Sequence, residues 1–273
     1  MREILAGALC LLSLLPVAGQ TLNTGLDLEN KWYINWGWNR STYTVSDIHM
    51  IGTDYDFVLD NVRATDRQTK FGFKEYLFIT QLSVPQTNLN VGYHFNKHYS
   101  LAGGFDHMKY VMVNDQTTTI SGEINRTGSV YNGIYNNDSI QLARNFLRYE
   151  HTDGLNYVFL EWNRHDEWLN LKHSQIRVSS VVGVGPALLR PRTDVTLMNR
   201  KGRNVYHNAG YGFNGKIGVK VLLWNHFNII SEVKGGYVNM QQIQATEVKA
   251  DRAKQHFGFL QANIQIGATF GFK

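Results

Sequence analysis

The sequence predicts an all-β chain that closes into an antiparallel up-and-down transmembrane β-barrel of about ten strands, within a range of about eight to twelve. The first observation is the segment 204–224, NVYHNAGYGFNGKIGVKVLLW, which alternates apolar and polar residues far beyond the span that identifies a half-buried strand. Tyr211, Ile217 and Val221 fall on one face, and Lys216 and Lys220 fall on the other. The second observation is that short and long connections alternate along the chain, and the third is an N-terminal export signal.

The same alternation recurs in order along the chain. In KWYINWGWN, for example, Trp32, Ile34 and Trp36 share one face and asparagine and glycine occupy the other. The run FGFKEYLFIT alternates poorly and could be a helix or loop, and it is kept as a strand because closed bacterial barrels have an even strand number. The predicted strands lie near residues 31–42, 53–63, 71–80, 86–95, 99–113, 146–162, 170–185, 205–223, 227–240 and 255–272.

Connections of two lengths separate these runs. Tight turns are expected at 96–98, 164–168 and 224–226, and long polar loops at 114–144, 186–204 and 241–254. Short turns at one end and long loops at the other are typical of an up-and-down meander.

A soluble β-sandwich is the alternative, since it would bury the apolar face and expose the polar one. Its strands are usually about 5 to 6 residues long, which is shorter than the runs here. Only 18% of the chain is charged, and aromatic residues such as Trp32, Phe95 and Phe270 sit at strand ends, as in a membrane-interface girdle. A sheet can cross a bilayer only when it closes on itself, so the apolar face should meet lipid and the polar face should line the lumen.

The two ends of the chain add to this interpretation. Residues 1–19 form a predicted secretory signal peptide that ends in Val17-Ala18-Gly19, so the barrel domain is expected to span residues 20–273. The only cysteine, Cys10, lies within the signal. After residue 20 no apolar run is long enough for a transmembrane helix.

With this signal, a cysteine-free body, alternating connections and the terminal strand NIQIGATFGFK, the chain resembles Gram-negative outer-membrane β-barrel proteins over essentially its whole mature length. The resemblance implies outer-membrane lipid and lipopolysaccharide as surroundings. It also implies that barrel-assembly machinery reads a terminal aromatic, here Phe272, which is followed by Lys273.

Strand parity assigns a set of polar residues to the lumen. If the charges pair with one another, the barrel is a plugged structural element; if they do not, it is a narrow pore or a solute-binding barrel for a small anionic solute. On this interpretation Lys216→Leu should be tolerated, whereas Ile217→Lys near mid-membrane should cost roughly 2–4 kcal/mol. The predicted lumen-lining residues are Asp54, Asp56, His94, His173, Arg177, Lys216, Lys220, Glu232 and Lys234.

A barrel-borne hydrolase is the second function considered. Glu150, His151 and Asp153 in RYEHTDGLNY offer weak acid–base candidates. Four residues are superficially similar to the site of omptin proteases, namely Asp54, Asp56, His151 and Asp153. His151 and Asp153 share parity with Leu155, Tyr157 and Phe159, so an unbroken strand would point them outward. Lipid A deacylases carry an outward His-x-Ser pair, and here Asp153 stands in place of the serine.

Loop-mediated adhesion or binding is the third function, because the long loops hold aromatic residues among asparagine and threonine. The formal net charge of +5 is scattered, which favours acidic lipid head groups or anionic solutes and gives no reason to expect a nucleic-acid partner. No cofactor motif and no metal-ligand spacing is present, so neither is expected.

Overall fold

The computed structural model describes residues 28–77, 85–171, 173–248 and 250–271. The predicted signal peptide and Phe272 lie outside these residues. Within them the chain is almost entirely β-structure with one short helix, α1, at Phe73–Leu77. The strands are β1 (Lys31–Tyr43), β2 (Ser46–Ile51), β3 (Tyr55–Val62), β4 (Ala64–Thr65), β5 (Thr87–His94), β6 (Tyr99–Met112), β7 (Thr117–Ile124), β8 (Gly133–Gln141), β9 (Leu147–Leu171), β10 (Ile176–Pro191), β11 (Asp194–Leu197), β12 (Arg200–Lys201), β13 (Gly210–Leu223), β14 (Phe227–Gln244) and β15 (Arg252–Phe270).

Eight of these strands form a closed antiparallel ring. The ring runs β1-β5-β6-β9-β10-β13-β14-β15, and β15 pairs back onto β1 from Trp32–Phe270 to Tyr43–Phe259. Closure leaves no unpaired edge, which is the requirement for a sheet that crosses a bilayer. The fold class predicted from the sequence is therefore confirmed, with eight strands in the ring.

The other strands build an extension at the end of the barrel where the long connections lie. Strands β2, β3, β7 and β8 continue the sheet from the start of β15, β4 pairs with β6, and β11 pairs with β9 and β12. The ring strands themselves reach into this extension, because β9 has 25 residues whereas about 9 to 11 suffice to cross a membrane.

The extension has an apolar core of its own. Buried side chains from β2, β3 and β7 meet those from the upper parts of β6, β9, β14 and β15. The core includes Ile48, Met50, Tyr55, Phe57, Leu59, Met108, Ile120, Phe146, Tyr149, Val195, Met240 and Phe257. The barrel thus has a polar interior at one end and an apolar interior at the other.

This core explains why one predicted barrel strand is not in the ring. Run 53–63 alternates because Tyr55, Phe57 and Leu59 are buried in the core of the extension, and the run forms β3. A strand that buries one face against protein and a strand that presents one face to lipid give the same period of two. Run 71–80 forms the helix α1 over Phe73–Leu77, and residues 78–80 lie outside the described part.

Three predicted connections also differ. Residues 164–168, expected as a turn, continue β9, and turn residues follow at 173–175. The long polar segments 114–144 and 186–204 contain β7, β8, β11 and β12. The predicted turn at 224–226 is a tight hairpin in which Trp224 and Asn225 have positive φ angles of 50° and 63°.

No helix in the described ranges is long and apolar enough to cross a membrane.

Candidate functional site in the barrel interior

The outer surface of the ring is an apolar belt. Side chains exposed on it include Trp32, Ile34, Val91, Leu101, Phe105, Val158, Leu160, Trp162, Val182, Val184, Phe213, Ile217, Ile229, Leu260 and Ile264. Ile217 is 58% exposed, whereas its neighbour on the opposite face, Lys216, has a side chain only 6% exposed. An apolar surface on a sheet with a polar buried face is the arrangement of a barrel solvated by lipid.

Five charged side chains form a connected ion-pair network in the interior. Lys234 Nζ lies 2.7 Å from Asp106 Oδ2 and 2.8 Å from Glu161 Oε1. Lys216 Nζ lies 2.8 Å from Glu161 Oε2 and 3.3 Å from Glu232 Oε2. Glu161 therefore joins the two lysines. All five side chains are almost completely removed from solvent.

The Lys234–Asp106 contact crosses the full width of the barrel. Lys234 is on β14 and Asp106 on β6, which are diametrically opposite in the eight-membered ring. A direct 2.7 Å contact between opposite walls means that these two side chains span the lumen at that level. Eight strands give an interior just wide enough for side chains to fill, so the contact agrees with the strand number.

A second contact between opposite walls lies nearer the extension, where the polar interior meets the apolar core. Gln255 on β15 accepts a hydrogen bond from the Tyr149 hydroxyl of β9, the opposite strand, at 3.2 Å. Its amide nitrogen donates to the Tyr110 hydroxyl at 2.7 Å and to Ser46 Oγ at 2.9 Å. Burial raises the pKa of Tyr110, which is in this layer, to about 12.

Neutral amides satisfy the carboxylates of the ion-pair network. Asn214 donates to Glu161 Oε1 at 2.8 Å, and Asn263 and Gln265 donate to Glu232 Oε1 at 3.0 and 3.1 Å. Charges buried in this way are stable only when they are paired and their remaining lone pairs are hydrogen-bonded. Every carboxylate of the network is paired with a lysine, and the second oxygen of Glu161, Oε2, has its ion pair with Lys216 as its only polar partner among the described residues.

The interior below the network, towards the short turns, holds Lys220 and two histidines. Lys220 Nζ lies 5.3 Å from the centre of the Tyr33 ring, and the His94 and His165 rings are 4.6 Å apart between their centres. A cavity of about 10 Å³ next to Lys216 and Lys220 has room for about one water molecule. With Lys220 included, three ammonium groups face three carboxylates in the barrel interior.

The structure places four of the predicted lumen residues in the network or beside it, namely Lys216, Lys220, Glu232 and Lys234. His94 is also fully buried inside the ring. Arg177 lies at the short-turn mouth, half-buried, 3.6 Å from Glu167.

Three predicted lumen residues lie elsewhere. Asp54 and Asp56 are in the extension, because run 53–63 is β3 and is outside the ring. Asp54 pairs with Arg126 at 3.7 Å, and Asp56 contacts His49 at 2.6 Å on the surface. His173 is exposed in the turn that joins β9 to β10.

The weak catalytic candidates are not brought together. His151 points inward and is fully buried, and its Nδ1 is 2.8 Å from the Thr193 hydroxyl, so the expectation that it points outward was wrong. Burial lowers the pKa of His151 to about 4. Glu150 lies on the opposite face of β9, and Asp153 is on the surface, 3.6 Å from Arg192. No shared acid–base site joins these three residues.

Sequence reasoning missed Asp106 and Glu161, two of the three interior carboxylates. Glu161 shares parity with Tyr157 and Phe159, which look like a lipid-facing row in the sequence but point into the barrel. The outward row of β9 is Val158, Leu160 and Trp162. Both rows are apolar up to this point of the strand, and the charge of Glu161 marks the row that faces inward.

An exposed cleft lies on the outer face of the extension. It has a volume of about 400 Å³, and Arg67, Arg144 and Arg148 line it together with Glu150 and Thr196. Arg67 is held by Glu150 at 2.8 Å, and Arg148 bridges Glu150 and Asp194. Arg148 donates a hydrogen bond to Glu150, and this bond raises the pKa of the Arg148 guanidinium.

Among the described residues there is no group of three or more histidine, cysteine, aspartate or glutamate side chains placed to hold a metal ion.

Comparison with solved structures finds similarity to outer-membrane proteins. OprG from Pseudomonas aeruginosa is 10% identical with a TM-score of 0.42, over 91% of this chain and 99% of that one. The outer-membrane protein AlkL is 10% identical with a TM-score of 0.40, over 94% and 98%. The outer-membrane protease OmpT from Escherichia coli is 7% identical with a TM-score of 0.26, over 91% and 99%.

At these values the similarity carries no inference about what the chain binds or does. No family model matches the sequence, and no curated protein matches it. The closed ring, its apolar belt and its polar interior are by themselves the architecture of outer-membrane β-barrel proteins, and the chain resembles that class in fold.

Proposed function

We propose that the protein is an integral outer-membrane barrel whose membrane part is closed by its own side chains and serves as a rigid support for the folded extension. The single observation that carries this proposal is the Lys234–Asp106 contact between opposite walls, continued through Glu161 to Lys216. A conducting barrel needs a hydrated path, and here the charges that could line one neutralise one another.

The orientation follows from the connections. Outer-membrane barrels place short turns in the periplasm and long connections outside the cell, so the extension is the extracellular part. Export by a cleaved signal peptide over residues 1–19, contact with lipopolysaccharide and recognition by the assembly machinery are part of the proposal and rest on the sequence.

Conductance across planar bilayers tests the closed lumen. Purified, refolded protein is expected to give no current steps above leak. A double variant, Asp106→Ala with Lys234→Ala, removes both side chains of the crossing without changing the net charge and should produce steps. The matched control, Arg164→Ala with Asp166→Ala, removes an ion pair of 2.8 Å from the outer surface and should stay silent.

Heat-modifiable migration on a gel shows that each variant has formed a barrel before its conductance is measured. Regular current steps from the unaltered protein would refute the closed lumen and favour the narrow pore. Silence of the Asp106/Lys234 double variant would show that the crossing is not what closes the barrel.

A further inference from the structure

The cleft on the outer face of the extension is built around one buried carboxylate. Glu150 has a side chain only 4% exposed, yet its oxygens accept hydrogen bonds from both Arg67 and Arg148. The two arginines are themselves half exposed, at 50% and 45%. A guanidinium has five N–H donors in a fixed fork, so each arginine keeps donors free for the cleft while Glu150 fixes its orientation.

Separate elements bring these arginines together. Arg148 and Glu150 are on β9, and Asp194 lies directly opposite Glu150 on β11. Two carboxylates in that cross-strand position repel each other, and Arg148 offsets the repulsion by contacting both.

Arg67 comes from the segment after β4, which lies next to β1. Asp66 anchors this segment by accepting hydrogen bonds from the backbone N–H of Ser41, at 3.0 Å, and from Gln86. The Tyr76 hydroxyl donates to the Thr69 carbonyl at 2.8 Å, which holds the segment in place further on.

Arg144 makes the charge of the cleft positive. In the part of the chain that the structure describes, no acidic side chain forms an ion pair with Arg144. Three guanidinium groups therefore face two carboxylates, Glu150 and Asp194. Planar forked donors around a positive cleft suit a tetrahedral oxyanion such as a phosphate, which arginine binds through paired hydrogen bonds.

The rest of the lining and the size indicate what carries the phosphate. A volume of about 400 Å³ is within the range of small-molecule sites and much larger than one phosphate needs. Asn114 and Thr196 add an amide and a hydroxyl that can bond sugar hydroxyl groups.

The height of the cleft above the membrane agrees with a sugar. On β6 and β9 the exposed apolar pair of the belt nearest to the cleft is Phe105 and Val158. Glu150 lies beside Val111, which is six residues further along β6 towards the extension. Six residues span roughly 20 Å along a strand, or about 15 Å of height for a tilted one. Phospholipid head groups extend only about 5 to 7 Å beyond the hydrocarbon, so a saccharide-borne phosphate fits better.

We propose that the cleft of Arg67, Arg144 and Arg148 binds a phosphate monoester carried on a saccharide, either attached to a lipid of the outer leaflet or free in solution. This binding is independent of whether the lumen conducts. It can therefore be tested on refolded protein in detergent micelles, separately from the conductance measurement.

Calorimetric titration with glucose 1-phosphate, with glucose as the uncharged comparison, tests the soluble source. Titration with intact and with enzymatically dephosphorylated lipopolysaccharide tests the lipid-borne source. Arg144→Ala removes a donor that the fold does not use and should weaken binding about tenfold or more, as expected for a hydrogen bond to a charged group. The matched control Arg203→Ala removes the same charge from an exposed position outside the cleft and should change binding less than about twofold.

Binding of glucose 1-phosphate with this dependence on Arg144 supports the site with a soluble ligand. Binding of intact lipopolysaccharide alone, lost on dephosphorylation and weakened by Arg144→Ala, supports it with a lipid-borne ligand. The proposal is overturned if neither phosphate ligand binds, or if Arg203→Ala weakens binding as much as Arg144→Ala. Heat-modifiable migration of both variants shows that a loss of binding is not a loss of folding.

Discussion

Replacing Lys234 by methionine should destabilise the barrel by about 3–5 kcal/mol, because it breaks a buried ion pair from one side. Lys234 is 1% exposed, and its ammonium group is within 2.8 Å of both Asp106 and Glu161 and 3.9 Å from the centre of the Phe159 ring. Methionine fills a similar volume but leaves Asp106 without a cation. Glu161 keeps Lys216 as a partner, so the loss falls mainly on Asp106.

The free energy of unfolding can be measured by urea titration of the protein in lipid vesicles, followed by the fluorescence of its six tryptophans. A second variant, Lys234→Met with Asp106→Asn, removes the uncompensated charge. Asparagine can still accept the hydrogen bond that Asn88 donates to this position. The double variant should therefore recover at least half of the loss, which a double-mutant cycle expresses as a coupling energy.

This measurement also distinguishes a closed from a hydrated lumen. An ion pair in contact with water contributes about 0–1 kcal/mol, and the surface pair of Arg164 and Asp166 gives the reference value in the same chain. If Lys234→Met costs no more than Arg164→Ala, the interior charges are solvated, and both the pairing and the closed barrel would have to be abandoned.

Three further predictions use the same unfolding assay. Ile217→Lys should cost roughly 2–4 kcal/mol, because it places a charge on the lipid face near mid-membrane. The ion pairs of Lys216 change the expectation for Lys216→Leu from tolerance to a loss of about 3–5 kcal/mol, and an unchanged stability of this variant would count against the pairs to Glu161 and Glu232. His151 has a folded pKa of about 4, below its ordinary value of 6.5, so its contribution is intact above pH 6.5 and is lost as the pH falls towards 4. His151→Gln should therefore remove up to about 3 kcal/mol of acid destabilisation between pH 6.5 and 4, and identical pH profiles of the two proteins would contradict the burial of a neutral imidazole.

The sequence was sufficient to predict the interior side of β13 and β14. On these strands one face is mostly apolar and the other carries Lys216, Lys220, Glu232 and Lys234, so only one orientation places the apolar face against lipid. The pairing partners of the lysines could not be read in the same way. Asp106 and Glu161 approach them from β6 and β9, and which residues of two distant strands meet depends on the stagger of the closed ring.

The arginine cleft could not be predicted from the sequence for a related reason. Arg67 comes from a segment without a periodic pattern, and Arg144 and Arg148 stand more than 70 positions later in the chain. In the sequence their common neighbour Glu150 is only a weak catalytic candidate beside His151. The structure separates the two residues, because successive residues of a strand point to opposite sides: His151 into the apolar core and Glu150 to the arginines.

The two faces of a single strand can have different surroundings in its two halves, and β9 shows where the surroundings change. In its lower half the outward row of Val158, Leu160 and Trp162 meets lipid, and the inward row carries the charged Glu161 followed by Asn163 and His165. In its upper half the inward residues Tyr149 and His151 are in the apolar core, and the outward row carries Arg148 and Glu150. Outside the sheet the surroundings change from lipid to water, and inside it they change from polar to apolar. The outward row therefore changes from apolar to polar residues at the membrane edge, and the inward row changes from polar to apolar residues.

Gly154, with a φ of 136°, lies between the two halves, where the register of β9 against β6 shifts. A bulge at this point lets one continuous strand serve both surroundings, since it absorbs the change in pairing without reversing which row faces inward.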